Sequence, residues 1–254
     1  MQAMRKTVLG VTVDGYTLDQ AVANARAAIA KRENQCVLAC VNPHSVIEAQ
    51  KDSHFLYALY DAEIKVPDGI GIYLVARLLG LSVPRRITGH DFFIAMMQSL
   101  EQQGSGRVAF LGSSPHVLSR IAARLKKDFP RVSLVATISP PFGEWSESKD
   151  AEMIESINRA QPDVLWVGMT APKQEKWVAK NRMFLDVPLI GSIGAVFDYY
   201  AGTRQLAPAW VRRSGGEWLY RLAQDPKRLW RRTFVSTPQF VGLVVWRHLL
   251  GIGR

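Results

Sequence analysis

The sequence predicts an α/β fold built on a mainly parallel sheet, and three observations carry that prediction. Short, near-continuous apolar runs recur before residue 200, as expected for strands buried on both faces. Amphipathic stretches of helical length separate them, so strands and covering helices alternate. Polar residues cluster directly after the runs, where open α/β sheets bind ligands outside the carboxyl ends of their strands.

Taken in order, the elements follow from local pattern. TLDQAVANARAAIA repeats apolar residues at helical spacing and predicts a helix over 17–30. CVLACV predicts the first strand at 36–41; Asn42-Pro43-His44-Ser45 then opens a helix expected to run through 43–60. The turn Val66-Pro67-Asp68-Gly69-Ile70-Gly71 leads into a helix over 70–79, and Arg85-Arg86-Ile87-Thr88-Gly89 precedes one over 91–102. Strands at 108–111, 132–137, 164–168 and 189–193 alternate with helices over 115–129, 149–159 and 174–181. No internal repeat or low-complexity tract interrupts the series.

A chain of 254 residues with 48% apolar composition can bury a full core as one large domain, or as one domain plus a short appendage. The charge suggests where the second begins. The net charge is +10, and the segment from Ala201 onward holds ten Arg and Lys against Glu217 and Asp225, a local +8. Trp210, Trp218, Trp230 and Trp246 fall there too. The expected division is therefore an α/β domain over 1–203 and a basic, aromatic, helical appendage over 204–254.

Cys36 and Cys40 fit neither a zinc site nor a redox pair and are expected as core thiols in a reducing cytoplasm. The N-terminal twenty residues lack the apolar stretch and cleavage site of a signal peptide, so a cytosolic start is expected. FVGLVVW at 240–246 falls far short of the ~20 residues that span a bilayer. It could rest on a membrane without crossing it.

Several motifs admit both a structural and a chemical reading. In VAFLGSSPHVL, Ser113 or Ser114 is placed as an N-cap before Pro115, making either an ordinary strand-to-helix turn or a phosphate site at Gly112-Ser113. Asp68 precedes an apolar helix and could cap it, or could take a proton from an acceptor hydroxyl as a general base. Arg86 is either a solvated loop residue or a forked donor to a diphosphate. Lys173 and Gln174, in Thr170-Ala171-Pro172-Lys173-Gln174-Glu175, are either a polar helix start or contacts to phosphate and sugar hydroxyls. The C-terminal run EWLYRLAQDPKRLWRR interleaves aromatic and cationic residues, which suits an anionic membrane surface, a nucleic acid, or plain docking on the core.

Other patterns narrow the chemistry. The aspartates form no D-x-D pair and the five histidines show no ligand spacing, so neither a metal nor another cofactor is expected. Arg, Lys and helix dipoles would carry any diphosphate chemistry. G-x-S-x-G and the dinucleotide fingerprint are both missing, which leaves a serine hydrolase or a nicotinamide enzyme without an anchor.

The order of the motifs resembles the WecG/TagA/CpsF family of bacterial glycosyltransferases, glycosyltransferase family 26, from about Thr7 to Arg232. The resemblance rests on V-N-P at 41–43, P-D-G-I-G at 67–71, R-I-T-G at 86–89, F-L-G at 110–112, A-P-K-Q-E at 171–175, G-A-V-F-D at 194–198, A-G at 201–202, A-P at 207–208 and E-W-L-Y-R-L at 217–222. It implies a compact Rossmann-like fold of the GT-E type with a C-terminal appendage that meets the membrane. The implied reaction is inverting, metal-independent transfer from a UDP-sugar to a polyprenyl-diphosphate-linked sugar in cell-surface polysaccharide synthesis.

By that resemblance Asp68 becomes the favoured base, and Asn42, Arg86 and Gln174 line the reaction centre. Gly112, Ser113 and Asp198 become UDP contacts. Arg221, Arg228 and Arg231 fall where appendage arginines meet the lipid diphosphate. Many members carry T-x-N where this chain has Cys40-Val41-Asn42, and a thiol hydrogen-bonds less well than a hydroxyl, so a different sugar preference is expected. The expected partners are the UDP-sugar donor, the lipid-linked acceptor and the inner face of the cytoplasmic membrane, with no nucleic acid. Exposed apolar surface on such a peripheral enzyme favours a homo-oligomer. The rival function is a non-catalytic nucleotide-sugar or nucleic-acid binding protein.

Overall fold

Eight strands are formed in the computed structural model, which describes residues 4–81, 86–208, 210–211 and 214–249, the side chains of 228, 248 and 249 excepted. They are β1 (Arg5–Val8), β2 (Val11–Asp14), β3 (Cys36–Val41), β4 (Ile64–Pro67), β5 (Arg107–Gly112), β6 (Ser133–Ile138), β7 (Val164–Gly168) and β8 (Leu189–Ser192). β1 and β2 pair as an antiparallel hairpin, and the other six form one parallel sheet in the order β4-β3-β8-β7-β5-β6.

Alternate residues of each central strand enter opposite faces of the sheet, as the period of two requires. Val37, Ala39 and Val41 of β3 join one core; Cys36 and Leu38 join the other. The first core is covered by α2 (Pro43–Ala49), α3 (Ser53–Asp61), α4 (Ile70–Leu78), α7 (Glu147–Ala160) and α8 (Lys173–Asn181). The second lies under α1 (Leu18–Lys31), α5 (Gly89–Gln103), α6 (Pro115–Asp128) and α9 (Val196–Ala201), around the edge-packed rings of Phe93, Trp166 and Tyr200.

The single helix expected over 43–60 is two. Asp52 interrupts it by accepting a hydrogen bond from the Phe55 N–H at 3.0 Å, which caps α3 and breaks the chain away from α2. β1, β2, β4 and α9 were not expected. β4 escaped because Lys65 interrupts its apolar residues. That lysine is 2% exposed, and its ammonium donates to the carbonyls of Tyr60 and Ala62 at the C-terminal end of α3, where the helix dipole favours a cation. Its N–H donates to Asp14, which also pairs with Arg5 at 2.8 Å and ties the hairpin to the sheet.

Beyond α9 come α10 (Glu217–Gln224), α11 (Pro226–Arg231), a π-helical turn (Arg232–Ser236), α12 (Thr237–Val244) and a second π-helical turn (Val245–Leu249). Phe240 and Val244 are buried in the same core as β3 and α2, and the His44 ring meets the Ser236 hydroxyl at 2.9 Å. Among the described residues no helix is long and apolar enough to cross a membrane.

Candidate active site

The carboxyl ends of the parallel strands share one edge, so the residues after β3, β4, β5, β7 and β8 form the candidate site. After β3, Asn42 begins α2. Its side chain accepts from the Ser45 N–H, and Ser45 returns the contact through its hydroxyl, a reciprocal cap that fixes the amide's position. Beside it, Asp68 follows β4 with its N–H bonded to the Val41 carbonyl at 2.7 Å. Close packing sets the distance between these two loops: a Cβ at Gly71 would stand 2.9 Å from Pro43, and Gly69, at φ +101°, lies against Asn42 and Pro43.

Asp68 does not cap the helix that follows. The N-cap of α4 is Gly69, and no side chain bonds the first turn. Asp68 is half-buried, and desolvation raises its carboxyl above the usual carboxylate range. Arg221, Arg86 and Arg232 oppose that rise while Glu217 adds to it.

Two of those arginines are joined through one acid. Glu217, 4% exposed, accepts from Arg86 at 2.6 Å through one carboxylate oxygen and from Arg221 through the other. Its burial favours the neutral acid, but Arg221 and Arg86 outweigh that and hold it below its ordinary value. Arg221 also stacks 5.1 Å above the Tyr199 ring of α9. The loop before α5 and the first helix of the basic segment thus meet beside Asp68. Ser214-Gly215-Gly216 supports the junction, since Gly215, at φ +81°, packs on Ile70 just beyond Asp68.

Gln174 is buried at the ends of β7 and β8. Its oxygen accepts from the Met169 N–H at 3.2 Å and its amide donates to Glu175 at 2.8 Å. Burial pushes the Glu175 carboxyl up to about 7 against the hydrogen bond from Gln174. Among the described residues its second oxygen and the Ser192 hydroxyl have no hydrogen-bond partner, and both residues line a small interior cavity with Arg182. Cys40 lies between this group and the first. Burial raises its thiol most, with Asp68 and Glu175 adding to the rise, so the sulfur stays protonated. Its Sγ would stand 3.0 Å from a Cβ at Gly89. Lys173 faces elsewhere, onto the Gly143 carbonyl and 3.7 Å from the Trp145 ring.

Along the edge toward β5, Gly112 takes φ +120° and Ser113 φ +62°, while Ser114 is the residue that caps α6. A Cβ at Gly112 would come within 2.4 Å of the Gly168 carbonyl, so only glycine allows that approach of β5 and β7. β4 and β5 are four strand spacings apart, which separates Asp68 from Ser113 by roughly 19 Å. That distance suits an extended ligand along the edge. Asp198 pairs with Arg204 at 3.7 Å, and Arg204 in turn holds Asp225 at 2.8 Å, a second tie to the basic segment. Arg231 is exposed; Arg85 and the Arg228 side chain lie outside the described residues.

The arrangement sets one carboxyl, Asp68, under the influence of two guanidiniums, with a turn of small residues farther along the same sheet edge. Residues 6–252 match the family model "Glycosyl transferase WecG/TagA/CpsF family". The chain belongs to that family.

Three relatives of this glycosyltransferase share the name N-acetylglucosaminyldiphosphoundecaprenol N-acetyl-beta-D-mannosaminyltransferase. The protein of Bacillus spizizenii is 30% identical over 204 residues, covering 80% of this chain and 76% of the relative. That of Bacillus subtilis is 26% identical over 80% and 77%. That of Staphylococcus aureus is 25% identical over 88% and 86%. Sequence reasoning quoted Glu175 and Glu217 inside motifs of this glycosyltransferase but gave neither a role. The available signal was an acid inside a strongly basic run.

Proposed function

We propose that this glycosyltransferase moves N-acetylmannosamine from its UDP-sugar to a polyprenyl-diphosphate-linked N-acetylglucosamine at the membrane surface. The sugar and the lipid-linked acceptor are taken from the names of the relatives, and the UDP carrier from the family resemblance. The observation that supports the chemistry most directly is Asp68, a half-buried carboxyl that does not cap α4 and that feels the charges of Arg221 and Arg86.

In the reaction proposed, Asp68 takes the proton of the acceptor hydroxyl as its oxygen bonds to the anomeric carbon. The bond from that carbon to the diphosphate breaks on the opposite face, inverting the centre, and UDP leaves with the electron pair. Arg86 and Arg221 balance negative charge on diphosphate, a task that needs no metal in this scheme. Asn42 and Gln174, both held by backbone N–H groups, bind sugar hydroxyls, while Gly112, Ser113 and Asp198 serve the UDP end. Arg228 and Arg231 extend the cationic surface toward the lipid diphosphate.

The segment 204–254 acts as the membrane-facing appendage. Trp218, Trp230, Phe234 and Trp246 are exposed there among cations, a composition suited to the interface of an anionic bilayer at the cytoplasmic face.

UDP release from a panel including UDP-N-acetylmannosamine and UDP-glucose, in EDTA, with and without a polyprenyl-diphosphate N-acetylglucosamine acceptor, tests the proposal. Wild type should release UDP only with acceptor, and Asp68→Asn should lose at least about 100-fold in rate. Full activity in Asp68→Asn, or release that requires added divalent metal, would refute the scheme.

A further inference from the structure

The basic C-terminal segment contains two acids, and both hold arginines: Asp225 takes Arg204, and Glu217 takes Arg86 and Arg221 together. The second arrangement is unusual in cost. Two guanidiniums repel when brought together out of water, and a buried carboxylate must itself be compensated. One carboxylate placed between them relieves both problems and fixes their spacing by its own width.

Among the described residues Glu217 takes up one nitrogen of each guanidinium, Nη2 of Arg86 and Nη2 of Arg221. Each fork retains further N–H donors, which carry the planar geometry that matches phosphate oxygens. The Tyr199 ring beneath Arg221 holds that fork from another side.

We infer that Glu217 is a positioning residue that holds Arg86 and Arg221 together as a two-guanidinium clamp for a diphosphate beside Asp68. The inference rests on the proposed roles of Asp68 and the arginines, and assigns a new one to Glu217. The same carboxylate leaves the Arg pair with a net charge of +1 instead of +2 next to the base. The charged and titratable groups around Asp68 are Arg221 and Glu217 from α10, Arg86 from the loop before α5, Arg232 from the π-helical turn and Cys40 from β3. Removing the Glu217 charge strengthens the cationic field there, which favours ionised Asp68.

Full-length Glu217→Gln and Glu217→Asp enzymes, assayed for UDP release with the lipid-linked acceptor across pH, separate charge from geometry. Glu217→Gln should raise the UDP-sugar KM about tenfold, roughly 1.4 kcal/mol, and move the acid limb of the rate profile to lower pH. Glu217→Asp keeps the charge but is too short to bridge both forks, so its KM should rise while its acid limb stays at the wild-type position. A merely structural brace would lower the melting temperature without that split. Wild-type KM in Glu217→Asp overturns the clamp, as does a wild-type KM and acid limb in Glu217→Gln. If Glu217→Gln does not fold, the aspartate variant decides alone. Activity retained in Asp68→Asn would defeat the base assignment, while the KM values would still judge the clamp.

Discussion

Asp68 and Glu175 act on the Cys40 thiol from its two sides, and burial raises both carboxyls. Their consequences differ. For Glu175 the folded value is about 7 against an ordinary 4.5, so the unfolded chain releases its proton first as pH rises. Folding stability therefore falls between these values, by at most about 3 kcal/mol. Glu175→Gln keeps an acceptor for the Gln174 amide and removes the titration. Its melting temperature relative to wild type should rise more at about pH 8.5 than at about pH 5, and equal differences at both would contradict the assignment. The role of Asp68 was only half legible in the sequence, because Pro67-Asp68-Gly69 writes the same letters for a cap and for a base. The geometry removes the cap, since α4 receives no hydrogen bond from that side chain; the base is the role proposed for it. Glu175 and Glu217 were less legible still, since burial of a charge and its pairing across more than a hundred residues leave no local pattern.

At the scale of elements, the five strands expected from apolar runs are the five central and edge strands β3, β5, β6, β7 and β8, within one residue at each end. Their near-continuous hydrophobicity reflects burial on both faces. β4 was missed because its lysine is neutralised by helix carbonyls that no window of sequence can place there. The β1–β2 hairpin was missed because Leu9-Gly10, both at positive φ, lacks the Asn-Gly or Asp-Gly signal of a two-residue turn. α12 makes a prediction of its own. Phe240 is fully buried against the sheet-side core, so Phe240→Ala should cost about 3–5 kcal/mol. That corresponds to a fall on the order of 10 °C in melting temperature for a chain of this size. A fall of only a degree or two would mean that α12 does not share the cooperative core.

For the whole molecule, the charge distribution separates the two ends of the chain. The excess of +8 after residue 200 lies with exposed tryptophans, and each cation near an anionic bilayer contributes on the order of 1 kcal/mol. Cosedimentation with anionic vesicles should be strong at low salt and weaken steeply at about 0.5 M, with Trp218→Ala plus Trp230→Ala reducing what remains. Equal binding to neutral and anionic vesicles would remove electrostatics from the account.

The strand order has a further consequence, for synthesis. β8 is last in sequence but lies between β3 and β7. Until it emerges from the ribosome, the chain holds β3–β4 and β7–β5–β6 as separate half-sheets, each ending in an open row of N–H and C=O groups. Asn42 and Asp68 belong to one half, Ser113 and Gln174 to the other. A nascent chain stalled before Leu189 therefore carries Asn42, Asp68, Arg86 and Gln174 without the strand that brings them to one sheet edge, and the edges it exposes are those most prone to pair with a neighbouring copy. Long-range closure of this kind is slow. The strand that brings donor and acceptor groups into register is also the one whose late arrival sets how long the newborn protein stays open to aggregation.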